Sequence, residues 1–255
     1  MNPLRSIFGG RVRGPSRELL SFPPPLPDET FYAVGDVHGR FDLLCRLVEK
    51  IQRSDPSVPI VCVGDYIDRG ENSRAVLTFL KLLPEYRNAP VICLLGNHEQ
   101  MCLSMIDDPS RHADRWLHYG GLQTVASFGV ALSKGNRETR ARKLRDDLVQ
   151  AMGDDMIAWI RSLPSYWQSG NIVVTHAGAD PLVPIANQPK NNMIWGHPEF
   201  TTARRNDGIW VVHGHTITDR PTAESGRIAI DTGAYATGQL SAARISPEGI
   251  AFVTA

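Results

Sequence analysis

The sequence has no excess of charge of either sign, no long apolar run and no paired-cysteine motif. Lys plus Arg (27) balance Asp plus Glu (27) over 255 residues, which gives no general attraction to nucleic acid or to an anionic membrane. No run approaches the roughly 18 apolar residues that a membrane span needs, and the first residues lack the apolar core of a signal peptide. Any recognition of a charged ligand therefore has to be local.

The four cysteines stand at spacings that exclude a C-x-x-C pair. Two of them lie inside the apolar runs "IVCVG" and "VICLL", which are typical of buried strands. Buried free thiols fit a reducing compartment better than a disulfide framework does. We therefore expect a cytoplasmic location.

A unit of apolar strand, small turn and amphipathic helix recurs three times in the first hundred residues. The strands run into "GDVHGR", "GDYIDRG" and "GNHEQ". Asp65 follows Asp36 by 29 residues and Asn97 follows Asp65 by 32 residues, close to the roughly 30 residues of a strand-helix-strand unit. The three turns should therefore meet at one edge of a parallel sheet, where α/β proteins bind their ligands.

The rest of the chain divides by composition. Residues 1–29, rich in Pro, Gly and Arg, predict a loosely ordered N-terminal arm, and residues 30–255 predict a single α/β domain. Within that domain, 100–165 is expected to be mainly helical, and 180–208 to be an irregular loop that forms a wall of the site. The final run of short strands favours a second, largely antiparallel sheet packed on the first.

Five metal-competent side chains stand at or just beyond the ends of predicted strands: Asp36, Asp65, Asn97, His176 and His215. His38 follows Asp36 by two residues, and residues two apart in an extended segment point the same way, so this pair can bind one ion. Carboxylate, amide and imidazole donors without a thiolate suit Mn²⁺, Fe or Zn²⁺. Their number favours two ions that share a carboxylate, which together activate water and hold a phosphoryl oxygen.

Six motifs in order carry a resemblance to a known family. "GDVHG", "GDYIDRG" and "GNHEQM", followed by "THAG", "GHT" and "IDTGA", resemble the motifs of the calcineurin-like metallophosphoesterases. Within that superfamily they are most similar to the phosphoprotein phosphatases of the bacterial and lambda-phage serine/threonine type. The resemblance covers about residues 31–245 and implies an α/β fold, a two-sheet β-sandwich flanked by helices.

The resemblance also implies a role for each motif residue. The first metal would be held by Asp36, His38 and Asp65, and the second by Asp65, Asn97, His176 and His215. Two divalent ions are expected, Mn²⁺ first, with Fe or Zn²⁺ as alternatives. His98 would protonate the leaving oxygen, Asp68 would orient that imidazole, and Arg69 would bind phosphate. Glu99, Asp231 and His213 are expected to support these residues and not to bind metal.

Two arginines that such proteins carry have no counterpart here. Leu95 stands where the family often has an Arg before "GNHE", and His197 stands where lambda-type members have an Arg after a Trp. We expect His197 and Arg204, from the 180–208 loop, to take part in substrate binding. A solvated loop pair is an equally good interpretation of Arg204 and its neighbour Arg205.

Three functions remain open on this basis. The first is a serine/threonine protein phosphatase in which a metal-bridging hydroxide attacks the phosphorus of a phosphoprotein or phosphopeptide. The second is a hydrolase like the symmetrical dinucleoside tetraphosphatases, although those relatives tend to lack the Asp of "DRG" and to carry "GNHD", whereas this chain has Asp68 and Glu99. The third is a metal-binding interaction module that has lost catalysis. No nucleic-acid or membrane partner is expected, and the oligomeric state stays open.

Overall fold

Helices flank a sandwich of two five-stranded sheets in the computed structural model, which describes residues 22–255. The strands are β1 (Phe31–Val34), β2 (Ile60–Cys62), β3 (Val91–Cys93), β4 (Tyr166–Ser169), β5 (Ile172–Thr175), β6 (Trp210–His213), β7 (Thr222–Glu224), β8 (Arg227–Ala229), β9 (Ser241–Ser246) and β10 (Gly249–Thr254). The α-helices are α1 (Phe41–Ser54), α2 (Ser73–Tyr86), α3 (Asn97–Asp107), α4 (Pro109–Trp116), α5 (Leu122–Ser127), α6 (Arg137–Met152), α7 (Asp154–Ser162), α8 (Lys190–Trp195) and α9 (Ala234–Thr237). The predicted two-sheet fold is confirmed.

Sheet 1 has the strand order β10-β9-β1-β2-β3, and sheet 2 has the order β4-β5-β6-β8-β7. In sheet 1, β1, β2 and β3 are parallel and are joined by α1 and α2, as the recurring unit predicts. The carboxyl ends of these three strands therefore lie at one edge, and the three motif turns follow them there.

Side chains that alternate along the strands divide the hydrophobic core into two layers. In β1, Phe31 and Ala33 pack between the sheets, whereas Tyr32 and Val34 pack against the helices, because successive side chains of a strand point to opposite faces. The layer between the sheets also contains Val61, Val63 and Leu94 from sheet 1 and Ile172, Val174, Val212 and Ile228 from sheet 2. Both faces of sheet 1 are thus covered, which fixes the positions of the loops beyond its strands.

The prediction of a largely antiparallel second sheet is wrong. The three inner strands β5, β6 and β8 are parallel, and only the edge strands β4 and β7 run antiparallel to their neighbours. The late strand β9, also expected in this sheet, pairs antiparallel with β1 of sheet 1 instead. Parallel inner strands bring the residues after β5 and β6 to the same edge of sheet 2.

Two further regions frame the molecule. Helices α3 to α7 occupy residues 97–162 and contribute to the core on the helix side of sheet 1. Residues 1–21 of the predicted arm lie outside the described residues. The next residues contact sheet 2, since Trp210 Nε1 donates to the carbonyl of Pro23 (2.8 Å) and the Leu26 amide donates to Asn171 Oδ1 (2.7 Å). Among residues 22–255, no helix has the length and apolar character needed to cross a membrane.

Candidate metal centre and catalytic residues

Five strand-end loops, three from sheet 1 and two from sheet 2, meet around the carboxylate of Asp65. Asp65 Oδ2 lies 3.4 Å from His38 Nε2, and Asp65 Oδ1 lies 3.3 Å from His176 Nε2. Asn97 Oδ1 lies 2.8 Å from His176 Nε2 and 2.9 Å from His215 Nδ1. The histidine and carboxylate donors around this point form two metal-competent groups that share Asp65. One group contains His38 and His98, and the other contains His176 and His215.

Asp36 lies beside this cluster with one oxygen unsatisfied. Its side chain is buried, Oδ2 accepts a hydrogen bond from the His215 amide (3.0 Å), and Oδ1 has no hydrogen-bond partner. Burial, with the nearby carboxylates of Asp231 and Asp65, raises the pKa of Asp36 well above its usual range. A buried carboxylate of this kind is stabilised by a cation.

The donor set therefore fits two divalent ions. The residues that could hold them are His38, Asp65, His176 and His215 from these groups, with Asn97, whose Oδ1 contacts both His176 and His215, and Asp36, whose Oδ1 has no other partner. His38 Nδ1 is hydrogen-bonded to the carbonyl of Ile67 (2.8 Å), which leaves Nε2 directed toward Asp65, as metal-binding histidines are commonly arranged. All donors are oxygen or imidazole nitrogen, which excludes a soft thiolate site.

The backbone of the site is strained at the residues that carry chemistry. Positive φ angles occur at His38 (44°), Asp65 (53°), Asp68 (69°), Arg69 (67°) and His215 (63°), and in the described chain the only other non-glycine residue of this kind is Ser225. The left-handed region costs a non-glycine residue about 1–3 kcal/mol and persists where the surrounding structure enforces it. The fold therefore holds these side chains in directions that a relaxed loop would not give them.

Glu99 is the residue that holds two of the loops together. Its Oε1 accepts from the amides of Tyr66 (2.8 Å) and Ile67 (3.2 Å), and its Oε2 accepts from those of Asp65 (2.9 Å) and Gly96 (3.1 Å). One carboxylate thus binds the backbone of both "GDYIDRG" and "GNHE". Glu99 lies at the site without joining the metal-competent groups, which agrees with the supporting role expected of it.

Glycines allow the ligands to approach the backbone. A Cβ atom on Gly214 would lie 1.9 Å from Asp36 Oδ1, and one on Gly96 would lie 2.3 Å from Asp65 Oδ1. Real Cβ contacts are essentially never shorter than 3.0 Å. The glycines of "GHT" and "GNHE" are therefore required by the positions of the carboxylates.

His98 is held by a buried network centred on Asp68. His98 Nδ1 lies 2.7 Å from Asp68 Oδ2, which also accepts from Trp116 Nε1 (2.9 Å), while Thr124 Oγ1 donates to Asp68 Oδ1 (2.6 Å). Burial opposes protonation of His98, but the carboxylates of Asp65 and Asp68 raise its pKa above the usual value. The imidazole can thus present a protonated Nε2, which lies 3.9 Å from Asp65 Oδ2.

Arg69 lies at a cavity of about 420 Å³ lined also by His118, Tyr119, Gly120, Gln123 and Tyr235. Its guanidinium carbon is 4.8 Å from the centre of the Tyr235 ring. In the described part of the chain it has no carboxylate partner, so its charge is available to an anion. A larger apolar groove of about 630 Å³ beside α2 contains none of the predicted site residues.

Residues of the 180–208 loop and the nearby His213 contact protein groups outside the candidate metal centre. His197 Nε2 lies 3.5 Å from Asp180 Oδ2, and Arg204 lies over the Phe22 ring at 4.8 Å. Arg205 is buried and donates to the carbonyls of Asp180 (2.8 Å) and Val183 (3.0 Å), which is a structural role. His213 packs on Phe200 with ring centres 4.9 Å apart. Substrate binding by His197 and Arg204 stays a prediction.

Trp116, Thr124 and Tyr235 also belong to the site, although the sequence did not predict them. Trp116 and Thr124 reach Asp68 from α4 and α5, and Tyr235 reaches Arg69 from α9. A tryptophan at the end of the otherwise polar helix "PSRHADRW", directly before "LHYGG", was the available signal. Large aromatic residues with a polar atom usually have a hydrogen-bond partner when they are buried.

The chain is similar to known phosphoesterases. A family model described as calcineurin-like phosphoesterase matches residues 29–219, more than half of the chain. A symmetrical bis(5′-nucleosyl)-tetraphosphatase of Legionella pneumophila is 34% identical over 159 residues, which cover 62% of this chain and 46% of the relative. The chain thus spans about half the length of that relative.

Two other matches extend over almost the whole chain. The asymmetrical bis(5′-nucleosyl)-tetraphosphatase PrpE of Halalkalibacterium halodurans is 27% identical, with 88% of this chain and 92% of the relative covered. Among solved structures, a protein for which a diadenosine tetraphosphatase activity is proposed superposes with a TM-score of 0.62 at 20% identity. That match covers 92% of this chain and 98% of the other, and at this identity it supports the fold alone.

Proposed function

The chain belongs to the calcineurin-like phosphoesterase family, and from that membership we propose that it is a dimetal hydrolase that cleaves the phosphate chain of dinucleoside tetraphosphates. The observation that carries this choice of substrate is the identity of the relatives. The Legionella protein and the Halalkalibacterium protein, which aligns over nearly its full length, are both bis(5′-nucleosyl)-tetraphosphatases. This reverses the order of the sequence hypotheses, in which a phosphoprotein substrate came first.

Each candidate residue would have its own role in the reaction. Two divalent ions, when bound by the six candidate ligands, would supply Lewis-acid stabilisation of the phosphate and a water of lowered pKa. Arg69 would bind the non-bridging oxygens, where charge grows in the transition state. His98 would donate the proton on Nε2 to the bridging oxygen as its bond to phosphorus breaks and water adds to that phosphorus. Asp68 would keep the imidazole oriented and charged.

Phosphoserine and phosphothreonine peptides are the second candidate, and the His98–Asp68 contact of 2.7 Å favours them. A serine or threonine alkoxide is a poor leaving group that needs protonation, whereas a nucleotide phosphate leaves with much less help. A buried imidazole held by Asp68, whose carboxylate also accepts from Trp116 and Thr124, is therefore more necessary for an alkyl phosphate than for a phosphoanhydride.

The test compares the two substrates on one preparation. The purified chain is stripped of metal, reloaded with Mn²⁺, and kcat/KM is measured for diadenosine tetraphosphate and for a phosphothreonine peptide. The Asp65→Asn variant, prepared in parallel, measures contaminating phosphatase. Chromatography of the nucleotide products shows whether two ADP, or ATP with AMP, are released, which identifies the bond that breaks.

Each outcome decides between the candidates. A higher kcat/KM for the dinucleotide, lost in the Asp65→Asn variant, supports the proposal. A higher value for the peptide transfers the function to protein dephosphorylation. If neither substrate is turned over above the level of that variant, both proposals fail and the interaction-module hypothesis gains.

A further inference from the structure

A second guanidinium lies beside the Arg69 cavity, on the last turn of α4. The guanidinium carbon of Arg115 is 5.4 Å from the centre of the Trp195 ring and 5.9 Å from that of the Tyr119 ring. The side chain is exposed, and no carboxylate pairs with it in residues 22–255. The adjacent carboxylate of Asp114 is already bound by Arg137 Nε at 2.6 Å.

Arg115 lines one cavity and packs on a ring that lines another. On one side, Tyr119 lines the cavity that contains Arg69. On the other side, Arg115 and Trp195 line a polar cavity of about 340 Å³. The remaining polar side chains of that second cavity are Gln100, Ser104, His112 and Asn191. A charged group in one cavity that packs on the wall of the other can contact a ligand that extends from one into the other.

The elements around Arg115 also carry the candidate active-site residues. The next residue in the chain, Trp116, donates its indole N–H to Asp68 Oδ2. Trp195 donates its indole N–H to Gln100 Oε1 (2.5 Å), and Gln100 is one residue beyond Glu99 on α3. The position of Arg115 is therefore set by the same helices that set the position of His98.

We infer that Arg115 is a second phosphate-binding residue, which binds a phosphate of the tetraphosphate chain other than the one attacked. The inference rests on the proposed function, because a substrate with a single phosphate gives Arg115 nothing to bind. A guanidinium offers two parallel N–H donors to phosphate oxygens. The rings of Tyr119 and Trp195 restrict its motion, so less conformational entropy is lost when the anion binds.

Arg115 also supplies a guanidinium that is absent at Leu95 and His197, the two positions where similar proteins carry arginine. Leu95 is an apolar residue exposed to only 3%, and His197 is directed toward Asp180. Neither provides a second guanidinium for a highly charged substrate. The structure offers one from α4, a different element.

The test uses Arg115→Gln with Arg111→Gln as the matched control, since Arg111 is exposed on the same helix and lines neither cavity. With Mn²⁺-loaded enzyme, Arg115→Gln should raise the KM for diadenosine tetraphosphate about tenfold or more, as expected for loss of a charge-assisted hydrogen bond. kcat should change much less than KM. The effect on p-nitrophenyl phosphate, which has one phosphate, should be at least about fivefold smaller.

Binding of inorganic tripolyphosphate to the metal-free protein, measured by calorimetry, separates this inference from the proposed function. Weaker binding by Arg115→Gln but not by Arg111→Gln supports the anion site even if diadenosine tetraphosphate is not hydrolysed. If the dinucleotide is hydrolysed and Arg115→Gln leaves its KM unchanged, the function stands and the anion site is refuted. Equal losses on both substrates would likewise refute a role confined to a second phosphate.

Discussion

Replacement of Gly214 by alanine would place a methyl group against the candidate ligand Asp36. The new Cβ would lie 1.9 Å from Asp36 Oδ1 and 2.8 Å from Val63 Cγ2. To reach even the 3.0 Å that real Cβ contacts require, the carboxylate has to move by more than 1 Å. A misplacement of this size at a reacting centre costs on the order of a hundredfold in rate, and overpacking destabilises a fold by about 1–3 kcal/mol.

The assay measures three quantities on the Gly214→Ala variant: bound metal after reloading with Mn²⁺, kcat/KM, and the free energy of unfolding in urea. We expect less than two ions per chain, a loss of about a hundredfold in kcat/KM, and a loss of stability of about 1–3 kcal/mol. Gly129→Ala is the control for backbone strain without a clash, because Gly129, unlike Gly214, has a φ (74°) that strains alanine, and no atom lies within 4 Å of its added Cβ.

The control should lose stability and retain metal and activity. A Gly214→Ala protein with full metal content and normal turnover would refute the placement of Asp36 at a metal, since its carboxylate could not stay where the structure has it.

Three further predictions follow from the site and the fold. Asp65→Asn should reduce the affinity for both ions, because its carboxylate is shared by both groups, and metal content after dialysis checks this. His98→Asn should keep near-normal metal content but slow alkyl phosphates far more than p-nitrophenyl phosphate, and loss of metal would instead make His98 a ligand. The hydrogen bond from Tyr32 lowers the pKa of Asp55, so its stabilising effect, present above the unfolded-state pKa near 3.9, is lost as pH falls through the folded-state pKa. Urea unfolding of metal-free protein should therefore separate wild type from Asp55→Asn at pH 7, with a difference that shrinks as the pH falls below the unfolded-state pKa, and a constant difference would contradict this.

The positions that the sequence predicted best are those fixed by local spacing. Asp36, Asp65 and Asn97 each follow an apolar strand of a repeated unit, and parallel strands bring their ends to one edge. In the structure Asp65 joins His176 and His215 in a metal-competent group, Asn97 contacts both of these histidines, and Asp36 lies beside them. That these residues bind metal stays a prediction. The two-sheet architecture followed from the same pattern and from the resemblance of the motifs.

The positions that the sequence could not predict depend on long-range packing. Thr124 meets Asp68 across 56 positions of the chain and Trp116 meets it across 48, and no local periodicity encodes such pairs. The same reason explains the error in sheet 2. Strands of three or four residues, such as β8, carry too little pattern to fix their direction. β9 pairs with β1, which is distant in sequence, and no local pattern predicts that pairing.

The left-handed residues of the site have a consequence for how the molecule moves. Each of the five stores about 1–3 kcal/mol that relaxes if its loop opens, whereas the strands before them are fully buried and would lose their packing. The loops should therefore open and close independently of the sheets, and amide hydrogen exchange in metal-free protein should be faster at Asp68 and Arg69 than in β2. Loops that open in this way would let the candidate metal site exchange ions without unfolding of the sheets.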